Sequence, residues 1–277
     1  MNRKIVSDSS CDLQKLLGLP LQTAPLKIIT DNKEYTDDET LSVYEMVEDL
    51  QKYKGRSSTS CPNVEDWLNV FGDAHEIFCV TITGTLSGSY HSACLARDLY
   101  EELYPGKRVF VLDSLSTGPE MALLLEKLGG LLKEGKSFDE ICGSIRDYQQ
   151  HTGLLFVLES MKNLANNGRV NPLTAKMAGL LGIRVVGRAS EKGDLEALSK
   201  CRGEKKALDA TVEHMSQLGY TGGEVLLHHC FNEEAAKNLK AHILEKFPQG
   251  NVRIAPCRGL CSFYAEKGGL LIGFEKG

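Results

Sequence analysis

The sequence predicts a two-domain α/β protein: a parallel three-layer α/β/α domain over residues 1–160, followed by a smaller mixed α/β domain over residues 161–277. Three observations predict it. A chain of 277 residues and 30.5 kDa exceeds the usual single core, which favours two medium domains. Three times in the first half, an apolar run ends in a cluster of Ser, Thr and Asp and gives way to helical periodicity, the rhythm of a parallel sheet. Near Ser160 that rhythm stops, and the polar segment Asn163 to Arg169 suits a domain crossover.

The first unit runs from Lys4-Ile5-Val6 into Ser7-Asp8-Ser9-Ser10. The second runs from Ile77 to Thr83 into Gly84-Thr85-Leu86-Ser87-Gly88-Ser89, and the third from Arg108 to Leu112 into Asp113-Ser114-Leu115-Ser116-Thr117. The helix after the third places Met121, Leu124, Leu125, Leu128, Leu131 and Leu132 on one face, the three-and-four spacing of a core-facing helix. A further strand is expected at Gly153 to Leu158, closing the first domain. Beyond the crossover, strands are expected at about Gly182 to Val186, Glu224 to Cys230, Asn251 to Ile254 and Leu270 to Phe274. Helices are expected at about Glu204 to Leu218 and Glu233 to Phe247.

Composition narrows the function classes. Hydrophobic residues at 42% and charged residues at 25% match an ordinary globular protein, and no stretch reaches the ~18 to 20 apolar residues of a membrane span. No stable membrane insertion is expected. The first strand-like residues begin at Lys4, which leaves no room for a signal peptide, so a cytoplasmic location is expected. The nine cysteines are odd in number and sit in apolar runs such as Ile77-Phe78-Cys79-Val80, which favours reduced thiols. A formal charge of -5 disfavours a nucleic-acid binder, which needs a basic footprint to displace counterions.

In an open α/β sheet the strand ends that lead into helices lie along one edge, where such proteins bind their ligands, so the polar turns are expected to converge. Ser87 lies where a strand hands over to a helix. The first backbone N–H groups of a helix lack internal partners and favour an anion such as a carboxylate; alternatively Ser87 only caps that helix. Arg56-Ser57-Ser58-Thr59-Ser60-Cys61-Pro62-Asn63 offers four consecutive hydroxyls before a proline suited to a helix start. They can hold a second oxygen of the same anion, or form a polar loop.

Taken together in order and spacing, several blocks resemble the DegV family across nearly the whole chain. They are Ile5-Val6-Ser7-Asp8-Ser9 with Cys11-Asp12-Leu13, Thr59-Ser60-Cys61-Pro62, Leu86-Ser87-Gly88-Ser89-Tyr90, Asp113-Ser114, and the Gly168-Arg169-Val170 turn. The resemblance implies a carrier that encloses one long-chain fatty acid between its domains, with the carboxylate held by Ser87 and Thr59. It further implies a separate fatty acid kinase to which the acid is presented for acyl phosphate formation. The expected ligand-binding set is Ser87, Thr59, Gly88, Ser89, Arg169, Ser60, Asp8, Ser9 and Tyr264, with no cofactor or metal. Tyr264 enters because the ending departs from the family's His-Thr-Gly-Pro-Gly run: counting back from Phe274 places it where the family histidine falls. Arg169 matches the basic position that the family pairs with that histidine.

Three other signals point elsewhere. Gly130-Leu131-Leu132-Lys133-Glu134-Gly135-Lys136-Ser137 has P-loop spacing but lies within the leucine-faced helix rather than after a strand. Gly135 reads as the helix stop, and Ser137 with Glu140 as a capping box. Ser87 as the nucleophile of an esterase or thioesterase is the main alternative function, although Gly84 to Gly88 gives Gly-x-x-Ser-Gly and not the nucleophile elbow. A small-molecule kinase related in fold is the second alternative. Cys257 and Cys261 with His228, His229 or Cys230 provide one loose pair, short of a zinc site's four converging ligands.

Overall fold

The computed structural model describes residues 2–16, 18–171 and 182–277. In chain order the first half contains β1 (Arg3–Asp8), β2 (Leu21–Ala24), β3 (Lys27–Ile29), β4 (Glu34–Thr36), α1 (Val43–Lys52), β5 (Ser58–Ser60), α2 (Val64–Phe71), β6 (Glu76–Thr81), α3 (Ser89–Leu103), β7 (Arg108–Asp113), α4 (Gly118–Lys133) and α5 (Phe138–Gln150). The second half contains β8 (Thr152–Leu158), α6 (Lys162–Asn166), β9 (Ile183–Ala189), β10 (Leu195–Arg202), α7 (Glu204–Gln217), β11 (Glu224–His229), α8 (Glu233–Lys246), β12 (Asn251–Pro256), α9 (Gly259–Ala265) and β13 (Leu270–Glu275).

The expected parallel three-layer domain is present. Its sheet has the order β2-β1-β6-β7, with every pair parallel. Successive side chains on a strand point to opposite faces, and here both faces are covered. Ile77 and Cys79 meet Trp67 and Phe71 of α2 and Ala93, Ala96 and Tyr100 of α3. Phe78 and Val80 meet Met121, Leu124 and Leu128 of α4 and Ile141 and Ile145 of α5. Covering both faces is why β6 reads as an unbroken apolar run.

Helix α4 differs from a surface helix with one apolar stripe. Ala122 and Leu123 face away from the leucine row and pack on Leu226 of β11, so the helix is sandwiched between two sheets. At its start, β13 comes so close that a Cβ on Gly273 would lie 2.5 Å from the Glu120 nitrogen, and only glycine fits there. Gly135 follows at φ 72°, and Ser137 and Glu140 form the reciprocal capping box of α5. The P-loop-like run is therefore a helix end and a helix start.

The second sheet has the order β10-β9-β8-β13-β11-β12, antiparallel except for β11 with β12. Its outer face packs Leu155, Val157, Val186 and Ile272 against α7 and α8. Its inner face, with Leu154, Phe156, Leu158 and Leu271, looks toward the first half. Strand β8, expected to close the first domain ahead of a boundary near Ser160, pairs instead with β13 and β9. By sheet membership the second unit begins at Thr152. An apolar strand reads the same whichever sheet it joins, because its partners lie far along the chain.

Several elements lie outside the expected inventory, among them β2, β3, β4, α1, α6, β10 and α9. Ser58–Ser60, read as a polar loop or anion site, is the strand β5 and pairs with β3 in a small antiparallel sheet, β4-β3-β5. The strand expected at Gly182 to Val186 is longer and forms a hairpin with β10. The nine cysteines are free thiols. No helix among the described residues is long and apolar enough to cross a membrane.

Candidate functional site

The turn at the carboxyl end of β6 opens onto a cavity of about 290 Å³ between the two halves. The first half contributes Leu26, Ile82 and Leu86, and the second contributes Leu154, Phe156, Leu158 and Leu271. The β8 residues are spaced two apart, so a single strand face forms one wall. Several polar lining groups neighbour one another, with Thr59 against Tyr264, Arg169 over the Tyr264 ring and Cys61 against Gly88 beside Ser87. Thr117 and Cys261 add to the polar lining. A long apolar wall with a few converging polar groups suits an amphiphile with a small head. A second cavity of about 670 Å³ shares Leu154 with the first but is walled by polar groups including Glu120, Gln149, Arg188 and Lys276. Its polar walls give an acyl chain nowhere to bury.

Local structure sets each polar group. Strand β6 ends at Thr81, and the turn closes through Leu86 N–H and Ser87 N–H donating to Thr83 O before α3 begins at Ser89. The Ser87 hydroxyl accepts from Ser89 N–H at 3.3 Å, a long bond that leaves its proton available to the cavity. Gly88 lets Cys61 approach: a Cβ there would lie 3.1 Å from the Cys61 sulfur. Thr59 is held by the pairing of β5 with β3. Its hydroxyl lies 2.8 Å from the Tyr264 hydroxyl on α9.

Arg169 follows a left-handed Gly168, φ 72°, that ends α6 and turns the chain back so that Arg169 N–H donates to Leu164 O at 2.8 Å. Its Nε donates to Leu86 O at 3.2 Å, and its guanidinium carbon lies 5.9 Å from the Tyr264 ring centre. Burial pushes the Tyr264 phenol above its ordinary value, against the opposing effects of Thr59 and Arg169. It is therefore a neutral hydroxyl near neutral pH.

Of the nine residues expected to bind ligand, Ser87, Gly88, Thr59, Ser60, Arg169 and Tyr264 line the cavity. Asp8, Ser9 and Ser89 are not among its walls, because their polar atoms serve the protein itself. The Asp8 carboxylate accepts from Ser10 N–H and hydroxyl, from Ile82 N–H at 2.9 Å and from the Ser89 hydroxyl at 2.6 Å, which binds the first two turns together. Full burial raises the pKa of that carboxyl even against these bonds. The Ser9 hydroxyl accepts from Leu26 N–H at 3.0 Å. The sequence reading missed Cys61, Thr117 and Cys261 as lining residues. Two of them had a signal: Cys61 lies next to Ser60, and Thr117 ends the third polar turn.

The other candidates have structural partners. His228 Nδ1 lies 3.0 Å from Asp12, the Cys230 thiol donates to Ser262 O and the Cys261 thiol to Ser10 O. Among the described residues no cluster of metal-ligating groups occurs.

The family model described as "Uncharacterised protein, DegV family" matches residues 2–276. A DegV domain-containing protein of Streptococcus pneumoniae is 44% identical over 279 residues, covering 99% of this chain and 99% of its own. The crystal structure of a DegV family protein from Eubacterium eligens, loaded with heptadecanoic acid, is similar with TM-score 0.97 and 44% identity, covering 99% of this chain and all of that one. That of the Streptococcus pneumoniae fatty acid kinase B3 protein, loaded with linoleic acid, is similar with TM-score 0.97 and 43% identity over the full length of both.

Proposed function

The chain belongs to the DegV family, and we propose that it binds a long-chain fatty acid in the cavity between its halves and presents the carboxylate to a separate fatty acid kinase. The observation that carries this reading is the segregation of the cavity into an apolar wall on β8 and β13 and polar groups at Thr59, Ser87 and Tyr264. Burying each methylene contributes ~0.8 kcal/mol, so a long acyl chain offers on the order of 10 kcal/mol before association costs. A charge-assisted hydrogen bond from Ser87 or Thr59 adds about 1.5 to 3 kcal/mol. The tail thus supplies affinity and the hydroxyls supply orientation. The carboxylate sits at the α3 turn between Ser87 and Thr59, with Arg169 as the nearby cation.

Phosphoryl transfer requires a nucleotide and usually metal ions close to the acceptor. The P-loop-like run is absorbed in α4 and the start of α5, so the kinase supplies the nucleotide. Nothing in the geometry favours Ser87 as an esterase nucleophile: its hydroxyl bonds to Ser89 N–H, and the neighbouring His91 is exposed on α3.

Denaturing mass spectrometry of the purified protein is expected to find a long-chain fatty acid in near-equimolar amount. Ser87→Ala is expected to keep that lipid while acyl phosphate formation with the kinase falls several-fold. Repeated extraction of well-folded protein without any lipid would refute the carrier reading, and equal loss of lipid and phosphorylation would make Ser87 a structural cap only.

A further inference from the structure

Three successive backbone N–H groups at the start of α9 are taken by two carboxylates from the other half of the molecule. Arg258 N–H donates to Asp12 Oδ1 at 2.9 Å, Gly259 N–H to Asp37 Oδ1 at 3.0 Å and Leu260 N–H to Asp37 Oδ2 at 2.9 Å. Asp37 is 1% exposed and lies 222 residues from Gly259 in sequence. Its own backbone N–H donates to Leu26 O, in the cavity wall. Gly259 is required for this approach, since a Cβ there would lie 2.5 Å from Asp37 Oδ1. The short helix fixed in this way carries Leu260, Cys261, Tyr264 and Ala265 into the cavity.

The helix begins at two N–H groups fixed by one rigid carboxylate and reaches Tyr264 little more than one turn later. We propose that Asp37 is a positioning residue for the polar end of the cavity, holding the Tyr264 hydroxyl against Thr59 through its bidentate grip on α9. The consequence for ligand orientation rests on the fatty-acid reading; the placement of the hydroxyl does not. A carboxylate that merely stabilised the fold would leave Tyr264 where it is. One that aims α9 couples its own removal to the tyrosine's surroundings.

The test is a cycle of wild type, Asp37→Asn, Tyr264→Phe and the double variant at a pH above 7, each checked for folding. Asparagine keeps the shape but replaces one acceptor oxygen with a donor facing a backbone N–H. Two readouts are taken: the ultraviolet ionisation of Tyr264, obtained as the difference between each protein and its Tyr264→Phe counterpart, and the affinity for oleic acid. In Asp37→Asn the phenol is expected to ionise closer to the ordinary value of about 10. Affinity is expected to fall several-fold in Asp37→Asn and in Tyr264→Phe taken singly, and combining the two should cost little more than either. An unchanged Tyr264 titration in folded Asp37→Asn, or fully additive losses of affinity, overturns the proposal. If no protein in the cycle binds oleic acid, the fatty-acid reading fails and the tyrosine titration alone decides the positioning role. Should Asp37→Asn not fold, Gly259→Ala displaces the same carboxylate without changing charge and carries the same comparison.

Discussion

Burial pushes the Asp37 carboxyl up from 3.8 to about 6, because desolvation outweighs the bonds from α9 and the nearby Arg258. Folded Asp37 therefore keeps a proton that the unfolded chain has already released between these two values. Its contribution to stability is fully present below about 3.8 and is lost as the pH rises through about 6, on the order of 3 kcal/mol in all. Urea unfolding of wild type and Asp37→Asn from pH 4 to 7 checks this. The wild-type curve is expected to decline relative to the variant across that window and to run parallel above it. Parallel curves throughout would mean that Asp37 titrates like an exposed carboxyl. Other residue-scale features were open to sequence reading only in kind: Ser87, Thr59 and Tyr264 carry the hydroxyls, but their convergence depends on contacts as distant as the 205 residues between Thr59 and Tyr264.

At the scale of single elements, two glycines make opposite demands. Gly187 on β9 faces Phe156 on β8, where a Cβ would lie 2.3 Å from the ring and 2.4 Å from Glu196 O. Gly187→Ala is expected to destabilise by about 1 to 3 kcal/mol and, because Phe156 lines the cavity, to reduce bound lipid as well. Gly130 lies in α4 with nothing within 4 Å of a Cβ, and Gly130→Ala is expected to stabilise by roughly 0.5 to 1 kcal/mol. Denaturant midpoints of the two variants read both effects. A destabilised Gly130→Ala would show that the glycine has a role outside the helix, such as the phosphate loop its spacing imitates. The helix-level signals were legible because they are local: the leucine spacing, the Gly135 stop and the Ser137–Glu140 box depend on neighbours within a turn.

Across the whole molecule, polar ties beyond α9 also join the halves, among them Tyr148 to Glu275 at 2.7 Å, His228 to Asp12 at 3.0 Å and Arg253 to Glu126. The Thr85 hydroxyl donates to Lys192 O at 2.6 Å, and Arg169 reaches Leu86 O. A ligand that fills the cavity touches both halves, so it stabilises the folded chain by mass action. Delipidated protein is expected to show a lower Tm that recovers on adding oleic acid. Hexanoic acid at the same concentration is expected to leave it almost unchanged, because about twelve fewer buried carbons forfeit on the order of 10 kcal/mol. Equal recovery with the short acid would place the affinity in the head group and contradict the division of labour argued from the cavity walls.

The sequence by itself determined the α/β class, the parallel first sheet, the helix ends and the polar turns after β1, β6 and β7. Each follows from periodicity or turn chemistry within a few residues. Only the tertiary structure decided that β8 belongs to the second sheet, that Ser58–Ser60 is a strand and that Asp8, Ser9 and Ser89 are spent inside the protein while Asp37 grips α9. Periodicity reports which face of a segment is buried, and residue type reports which bonds a side chain can make. The identity of the partner depends on how segments hundreds of residues apart pack, and no local pattern encodes it.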